Sequence, residues 1–367
     1  MGDYTRSLAQ ECIRQGHKCC LVALNDRYVL EPATTDNAGL KTLRLPALMP
    51  WSQRIQAAHE VLTAFAPDWV SLQFVPYAFH PKGFVYGLGH RLRPLLAGRR
   101  VQVMFHELWL GEAEDASPKH RLIGTLQKAL VLQMLKQIKP QVVHTSNDAY
   151  VGILARQGIT ATRLRMFGSI PIKAQKGDEW LFAEVGKAGA EINESNRANF
   201  WLAGFFGALH PVWPPEPLIG RLCQAAAETG RRLVLLSAGQ MGGGEALWAQ
   251  MAARYAPDVT FVCLGSQPVA RVSEYFNSLD FGIATSPWSL IGKSSSVAAM
   301  LEHGLPVIVN RDDAQIDAGG ATMQNDEPLL HRIDAEFANK LNAGFPRYAT
   351  KTQLPGTAHS FIVSLQH

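Results

Sequence analysis

Cysteine is scarce in this chain of 367 residues: only five occur, Cys12, Cys19, Cys20, Cys223 and Cys263, and no two form a C-x-x-C pair. An odd, small count in a chain this long excludes a disulfide framework and fits reduced, buried thiols in a cytoplasmic protein. No uncharged run reaches the ~18 residues of a membrane-crossing helix. The opening Met1-Gly2-Asp3-Tyr4-Thr5-Arg6 carries charge at once and has no apolar core, so a secretory signal is not expected. Excess charge of one sign is also lacking. Thirty-five Lys+Arg stand against 31 Asp+Glu, a net charge of +4, which excludes a dedicated nucleic-acid binder. That balance would suit an anionic small molecule or an acidic membrane surface. H-E-x-x-H, Cys/His clusters and Gly-x-Ser-x-Gly are all absent, so neither a bound catalytic metal or other cofactor nor serine-hydrolase chemistry is expected.

What is present is a globular composition, 47% hydrophobic and 18% charged, in a chain too long for one ordinary core. Short apolar runs alternate with amphipathic stretches. Residues 3–15 read as a helix with Tyr4, Leu8 and Cys12 on one face and Gly16 as its stop. Strands are expected at 19–24, 69–74, 101–105, 142–145 and 163–167, with helices at 52–65 and 119–138. Residues 173–198 break this rhythm with polar segments around a short helix at 179–185. The alternation then restarts, with strands at 200–206, 232–236, 259–264, 281–284, 305–309 and 329–333. Helices separate them. The pattern predicts an α/β protein with two doubly wound parallel-sheet domains. Their bounds are 1–172 and 199–345, with a linker at 173–198 and a tail at 346–367.

Ligands of open parallel sheets bind beyond the carboxyl ends of the strands. In the second half those positions hold Gly207 and His210 in a proline-rich loop, then Gly239 and Gln240, then Gly265. The last of them, Ser289-Leu290-Ile291-Gly292-Lys293-Ser294-Ser295-Ser296, runs straight into a helix. A helix start leaves backbone N–H groups unpaired and carries partial positive charge, which serine hydroxyls and Lys293 would reinforce into a phosphate site. The plainer alternative is one serine capping the helix while Lys293 faces solvent. It is not a Walker loop, because Pro287 stands where that motif's first glycine would fall. In the first half, His106 and Glu107 follow a buried strand and could act as acid, base or sugar contact, or be structural. Gln73 through Tyr77 also close a strand, and Thr145 through Asp148 read as turn and cap. Trp51, Trp109, Trp213 and Trp288 could stack on a ligand, although core packing is the commoner use.

Two segments carry a family resemblance. Gly2-Asp3-Tyr4-Thr5-Arg6-Ser7-Leu8-Ala9 resembles the loop and first helix that open family 4 (group 1) glycosyltransferases, and Gly16-His17 before a strand fits the same pattern. Ala298-Ala299-Met300-Leu301-Glu302-His303-Gly304-Leu305-Pro306-Val307 resembles their Glu-Ala-Met-Ala-x-Gly-x-Pro-Val signature. The resemblance implies a GT-B fold, with two Rossmann-like domains facing a cleft and a nucleotide-diphosphate sugar bound in the second. It also implies contacts from the N-terminal loop residues Gly2 and Asp3, and places His106 where the family has a histidine that contacts the donor sugar. The expected activity is sugar transfer to an unidentified polysaccharide, lipid or small-molecule acceptor. A nucleotide-sugar epimerase and an inactive binding protein stay as alternatives. The family's two glutamates around the phosphate helix are missing: Ser289 and Val297 or Ala298 occupy their positions. His210 and prolines replace its usual Arg and Lys after the first strand of the second domain. Retention or inversion is therefore open, as is a peripheral contact with the inner membrane face. The family also has a strand and glycine-rich turn before Gly2. Without them, the first sheet is expected to have a gap or a forced pairing of the strands at 19–24 and 101–105.

Overall fold

The computed structural model describes residues 2–173, 178–256, 258–312, 316 and 327–366. The chain divides into two compact units, one built from Met1–Arg165 and Leu354–His367, the other from Met166–Asp313 and Gln324–Gln353.

The first unit runs α1 (Gly2–Arg14), β1 (Cys20–Asp26), β2 (Ala33–Asn37), β3 (Leu40–Pro46), α2 (Trp51–Phe65), β4 (Trp69–Phe74) and α3 (Pro76–Phe79). It continues with α4 (Leu88–Leu96), β5 (Arg100–Phe105), α5 (Pro118–Ile138), β6 (Val142–Thr145), α6 (Asp148–Ala155) and β7 (Thr162–Arg163). Helix α1 buries Tyr4, Leu8 and Cys12 on one face, as its apolar spacing requires. Gly16, at φ +91°, ends it: Gly16 N–H donates to Ile13 O at 2.9 Å and His17 N–H to Cys12 O at 3.0 Å.

The strands of this unit form two sheets instead of one. One has the order β1-β3-β2, with β1 and β3 parallel and β2 antiparallel; the other is the all-parallel β4-β5-β6-β7. The strands at 19–24 and 101–105 are thus not forced together. Strand β1 pairs with β3 alone and β4 with β5 alone, so each has one side without a ladder partner among the described residues. All seven residues of β1 are half-buried for that reason, whereas five of the six in β5, a central strand, are buried.

The second unit contains α7 (Glu179–Lys187), β8 (Phe200–Phe206), α8 (Leu218–Glu228), β9 (Arg232–Ala238), α9 (Glu245–Tyr255) and β10 (Val259–Gly265). Then come α10 (Val269–Ser278), β11 (Phe281–Ala284), α11 (Ser295–Glu302), β12 (Val307–Val309), β13 (Leu330–Arg332) and α12 (Phe337–Ala343). Its sheet is six-stranded and wholly parallel, in the order β10-β9-β8-β11-β12-β13. The chain grows outward from β8 to one side, then returns to β11 on the other, as in a doubly wound dinucleotide-binding sheet. Side chains of β8 alternate between two cores: Phe200 and Leu202 join one, and Trp201, Ala203 and Phe205 the other. A strand covered on both faces reads as an unbroken apolar run, which is how 200–206 reads. Gly204 is required there, since a Cβ would sit 2.3 Å from Leu279 Cδ1 and 2.4 Å from the Tyr275 hydroxyl.

Of the expected linker, residues 174–177 lie outside the described residues. The remainder is folded: Leu181, Phe182, Val185, Ala190 and Ile192 bury themselves in a core of the second unit beside Val262 and Val272. The expected tail holds a helix, α13 (Leu354–Ser364), which packs on α1. There Gln15 Nε2 donates to Pro355 O at 3.0 Å.

Candidate functional site

A cavity of about 410 Å³ opens in the second unit at the carboxyl ends of β8, β11 and β12. Strand order reverses between β8 and β11, and ligands of open α/β sheets bind at that switch point. Phe206, Ala208, Leu209, His210 and Pro211 line one side, after β8; Thr285, Ser286 and Pro287, after β11, line another. Lys293, Ser294 and Ser296 enter from the turn before α11 and its first residues, and Arg311 enters after β12. Among the described residues the lining includes two permanent cations, Lys293 and Arg311, and no aspartate or glutamate. Such a wall favours an anion on electrostatic grounds alone.

The three serines have separate places. Ser294 is the N-cap of α11, its Oγ accepting from Val297 N–H at 3.3 Å. Ser295 is exposed and does not line the cavity. Ser296 does, and it faces Gly207: a Cβ on Gly207 would stand 3.0 Å from Ser296 Oγ. Ser294 and Ser296 thus line the cavity and Ser295 turns away from it, because consecutive residues at a helix start point about 100° apart. Gly207, at φ +79°, also lies under Gly239, whose Cβ would reach Gly207 Cα at 3.1 Å. Gly207 N–H donates to Ala238 O at 2.9 Å and Gly239 N–H to Gly265 O at 2.8 Å. The three glycines thus form a row along the carboxyl edge of the sheet, of which Gly207 adjoins the cavity. Ser289 is buried in the 3₁₀ turn before α11, Gly292 is half-buried in that turn and Gln240 is exposed; none of these lines the cavity.

Arg311 escaped the sequence reading. It is 5% exposed, and its Nη1 donates to Thr285 O at 3.1 Å, which fixes the guanidinium at the cavity wall. The same rule that found Lys293 would have found it, since Arg311 stands two residues beyond β12.

In the first unit, His106 follows β5 directly. Its Nε2 lies 2.8 Å from Gln73 Oε1, an acceptor, so Nε2 carries the proton and donates. Tyr4 meets the ring edge-on at 4.8 Å between centroids. Burial pulls the imidazole pKa down to about 4, so the ring is neutral at pH 7. Gln73 in turn donates to Ser71 Oγ at 2.8 Å, Ser71 donates to Gln102 Oε1 at 2.5 Å, and Gln102 Nε2 meets His144 Nδ1 at 3.0 Å. A chain of hydrogen bonds thus holds His106 across β4, β5 and β6. Glu107 is half-buried beside it. Gly2 and Asp3 belong to the first turn of α1 and not to a loop, and Asp3 pairs with Arg6 at 3.4 Å.

Asn147 caps α6 by accepting from Tyr150 N–H at 2.9 Å, and Thr145 Oγ1 donates to Phe105 O at 3.1 Å, as turn and cap chemistry requires. Trp109 and Trp213 are core residues. Trp288 is half-buried under the Arg332 guanidinium, 5.1 Å from its ring centroid.

The sequence matches no protein-family model, and no curated protein is found similar to it. Solved structures are similar along the whole chain. The α,α-trehalose 6-phosphate synthase of Burkholderia multivorans superposes with a TM-score of 0.54 at 12% identity, over 98% of this chain and 88% of that one. Sucrose-phosphate synthase of Thermosynechococcus elongatus gives 0.51 at 14% identity, over 99% and 90%. The catalytic domain of starch synthase IV of Arabidopsis thaliana, bound to ADP and acarbose, gives 0.55 at 13% identity, over 100% and 94%. At such identities the likeness establishes the fold, which is the GT-B arrangement of two Rossmann-like units in one chain.

Proposed function

We propose that this protein is a glycosyltransferase that moves a sugar from a nucleoside-diphosphate donor to an acceptor hydroxyl. The observation that carries this reading is the cavity at the switch point of the second unit, walled by Lys293, Arg311 and Ser296 and, among the described residues, free of carboxylates. Support comes from the similar structures. Two are named synthases of phosphorylated disaccharides, and a third, named a starch synthase, has ADP bound. The resemblance of Gly2–Ala9 and Ala298–Val307 to family 4 enzymes points the same way.

In the reaction, the bond between the anomeric carbon and the diphosphate oxygen breaks, and the oxygen keeps the electron pair. Lys293 and Arg311 stabilise the charge that grows on it, and the Ser296 hydroxyl donates to a phosphate oxygen. Cations fixed before the reaction need no reorganisation when that charge appears. The acceptor hydroxyl bonds to the anomeric carbon and gives up its proton to the departing diphosphate. His106, neutral and held by Gln73, is the sugar contact of the first unit, and Glu107 is its carboxylate. Gly207 lets the diphosphate approach the end of β8 where any side chain would intrude.

The test is incubation with UDP-, ADP- and GDP-sugars across a panel of sugar acceptors. Release of free nucleoside diphosphate with a new glycoside is expected, and Lys293→Met together with Arg311→Met removes it. Failure of UDP, ADP and GDP to bind by calorimetry would overturn the assignment.

A further inference from the structure

Helix α5 has 21 residues, a length of ~31 Å, and only one side of it is covered. Gly124, Leu130, Val131, Met134 and Ile138 are buried on that side, which packs against α4. The opposite side carries Leu122, Leu126, Ala129 and Gln133, a single stripe at four- and three-residue spacing. Leu122 is 75% exposed and Leu126 42%, and Ala129 and Gln133 are exposed with them. One bare leucine on a helix is ordinary. Two in register with a small residue, along the middle of a long helix, form the seam of a helix–helix contact.

The seam has carboxylates at one end and ammonium groups at the other. Just before α5, Glu114 and Asp115 are exposed and make no ion pair among the described residues. Their loop is pinned to the helix. Arg121 Nη2 donates to Glu114 O at 2.7 Å and Arg121 Nε to Ala116 O at 3.0 Å, while the Ser117 cap accepts from His120 N–H at 3.2 Å. At the far end of the helix Lys136 and Lys139 are exposed.

We propose that α5 is the contact helix of a homodimer, in which it crosses its own copy antiparallel about a two-fold axis beside Thr125 and Leu126. A two-fold contact joins a patch to itself, so the patch must be self-complementary. This one is. With the axis there, Leu122 of each copy lies over Ala129 of the other, large on small, and Leu126 lies over Thr125. The same register sets Asp115 level with Lys136 of the other copy and Lys119 with Leu132, so opposite charges meet and like charges do not. An anionic bilayer would attract the lysines but meet Glu114 and Asp115 at the same edge, and a fluid surface has no use for the alternation of large and small side chains. A contact one helix wide falls below the ~1,200 Å² of a standard interface, so the dimer is weak and reversible. The face belongs to the first unit and does not depend on the nucleotide reading of the second.

The experiment is sedimentation equilibrium of the full chain from about 1 to about 100 μM, the window for a micromolar dissociation constant. A monomer–dimer equilibrium that salt weakens is expected. Leu122→Ser together with Leu126→Ser should raise the dissociation constant at least about tenfold. Circular dichroism of the dilute monomer should show a nearly unchanged melt, since the replaced groups are already in water. Asp115→Lys alone and Lys136→Asp alone should each weaken self-association, because each brings like charges together at both ends of the seam. An equimolar mixture of those two variants should associate as tightly as the wild type, since in the mixed pair both contacts again join opposite charges. The proposal is overturned if the wild type stays monomeric throughout, if the double serine variant associates as tightly, or if mixing the two charge variants restores nothing. It is equally overturned if a monomeric wild type pellets with phosphatidylglycerol vesicles and the double serine variant does not, for then lipid covers the face.

Discussion

Two adjacent serines at the start of α11 allow a test that a single substitution would not. Ser296 lines the cavity opposite Gly207, whereas Ser295 is exposed outside it. A hydroxyl that donates to a charged phosphate oxygen contributes ~1.5–3 kcal/mol. Ser296→Ala should therefore raise the dissociation constant of UDP or ADP by roughly ten- to a hundredfold. Ser295→Ala removes an exposed hydroxyl of the same chemistry from the same helix turn, and its effect should stay within about twofold. Neither change removes a cap, because Ser294 is the cap. Helix stability and the partial charge at the helix start are thus held constant while one contact is lost. Adding Lys293→Met to Ser296→Ala should weaken binding further, though by less than the product of the single effects, since neighbours on one ligand couple. The assay is isothermal titration calorimetry at low ionic strength, with thermal melts to confirm the fold. Equal losses for Ser295→Ala and Ser296→Ala would refute the geometry, and no loss for either would refute the phosphate site.

Gly207→Ala should weaken nucleoside-diphosphate binding at least about tenfold and cost ~1–3 kcal/mol of stability, because φ is +79° and the new methyl meets Ser296 Oγ; urea melts and calorimetry read both. Arg311→Met should impair binding more than Arg332→Met, since Arg311 lines the cavity and Arg332 lies over Trp288; equal affinities by calorimetry would count against the Arg311 role. His106 and His144 are both held neutral, with pKa values pulled from 6.5 to about 4 by burial. The unfolded chain takes up those protons first, so stability is intact above pH 6.5 and falls as pH drops towards 4, by up to ~3 kcal/mol for each ring. Urea midpoints at neutral and acidic pH should lie further apart for the wild type than for His144→Gln, and parallel losses would show that other groups govern the acid limb. His106→Ala should lower turnover far more than nucleotide affinity, because the residue is in the other unit from the cavity. Gln73→Leu should shift the pH profile of turnover by freeing the imidazole Nε2; an unchanged profile would show that Gln73 does not position the ring.

Much of this fold was legible because its strands are buried on both faces. Runs such as Phe200–Phe206 and Phe281–Ala284 need no partner to declare themselves: an unbroken apolar segment between turn residues has few other uses. The helix stop at Gly16 and the strand–turn–helix at Pro287–Ser296 were equally local signals. Strand β2 was not legible. Ala-Thr-Thr-Asp-Asn is exposed at a sheet edge and has no apolar period, so only its ladder with β3 makes it a strand. Helix α4 escaped because Pro94 sits inside it, and its existence rests on Leu88, Leu92 and Leu95 packing inward. Lys293 and Ser296 could be picked out by their place after a strand, but which of three serines enters the cavity is set by helical phase. Arg311 joins them from a separate segment because β12 lies beside β11 in the sheet. Sequence determines which residues end strands, since that depends on neighbours along the chain. Which strand ends share one cavity depends on strand order, and strand order is fixed only when the whole sheet packs.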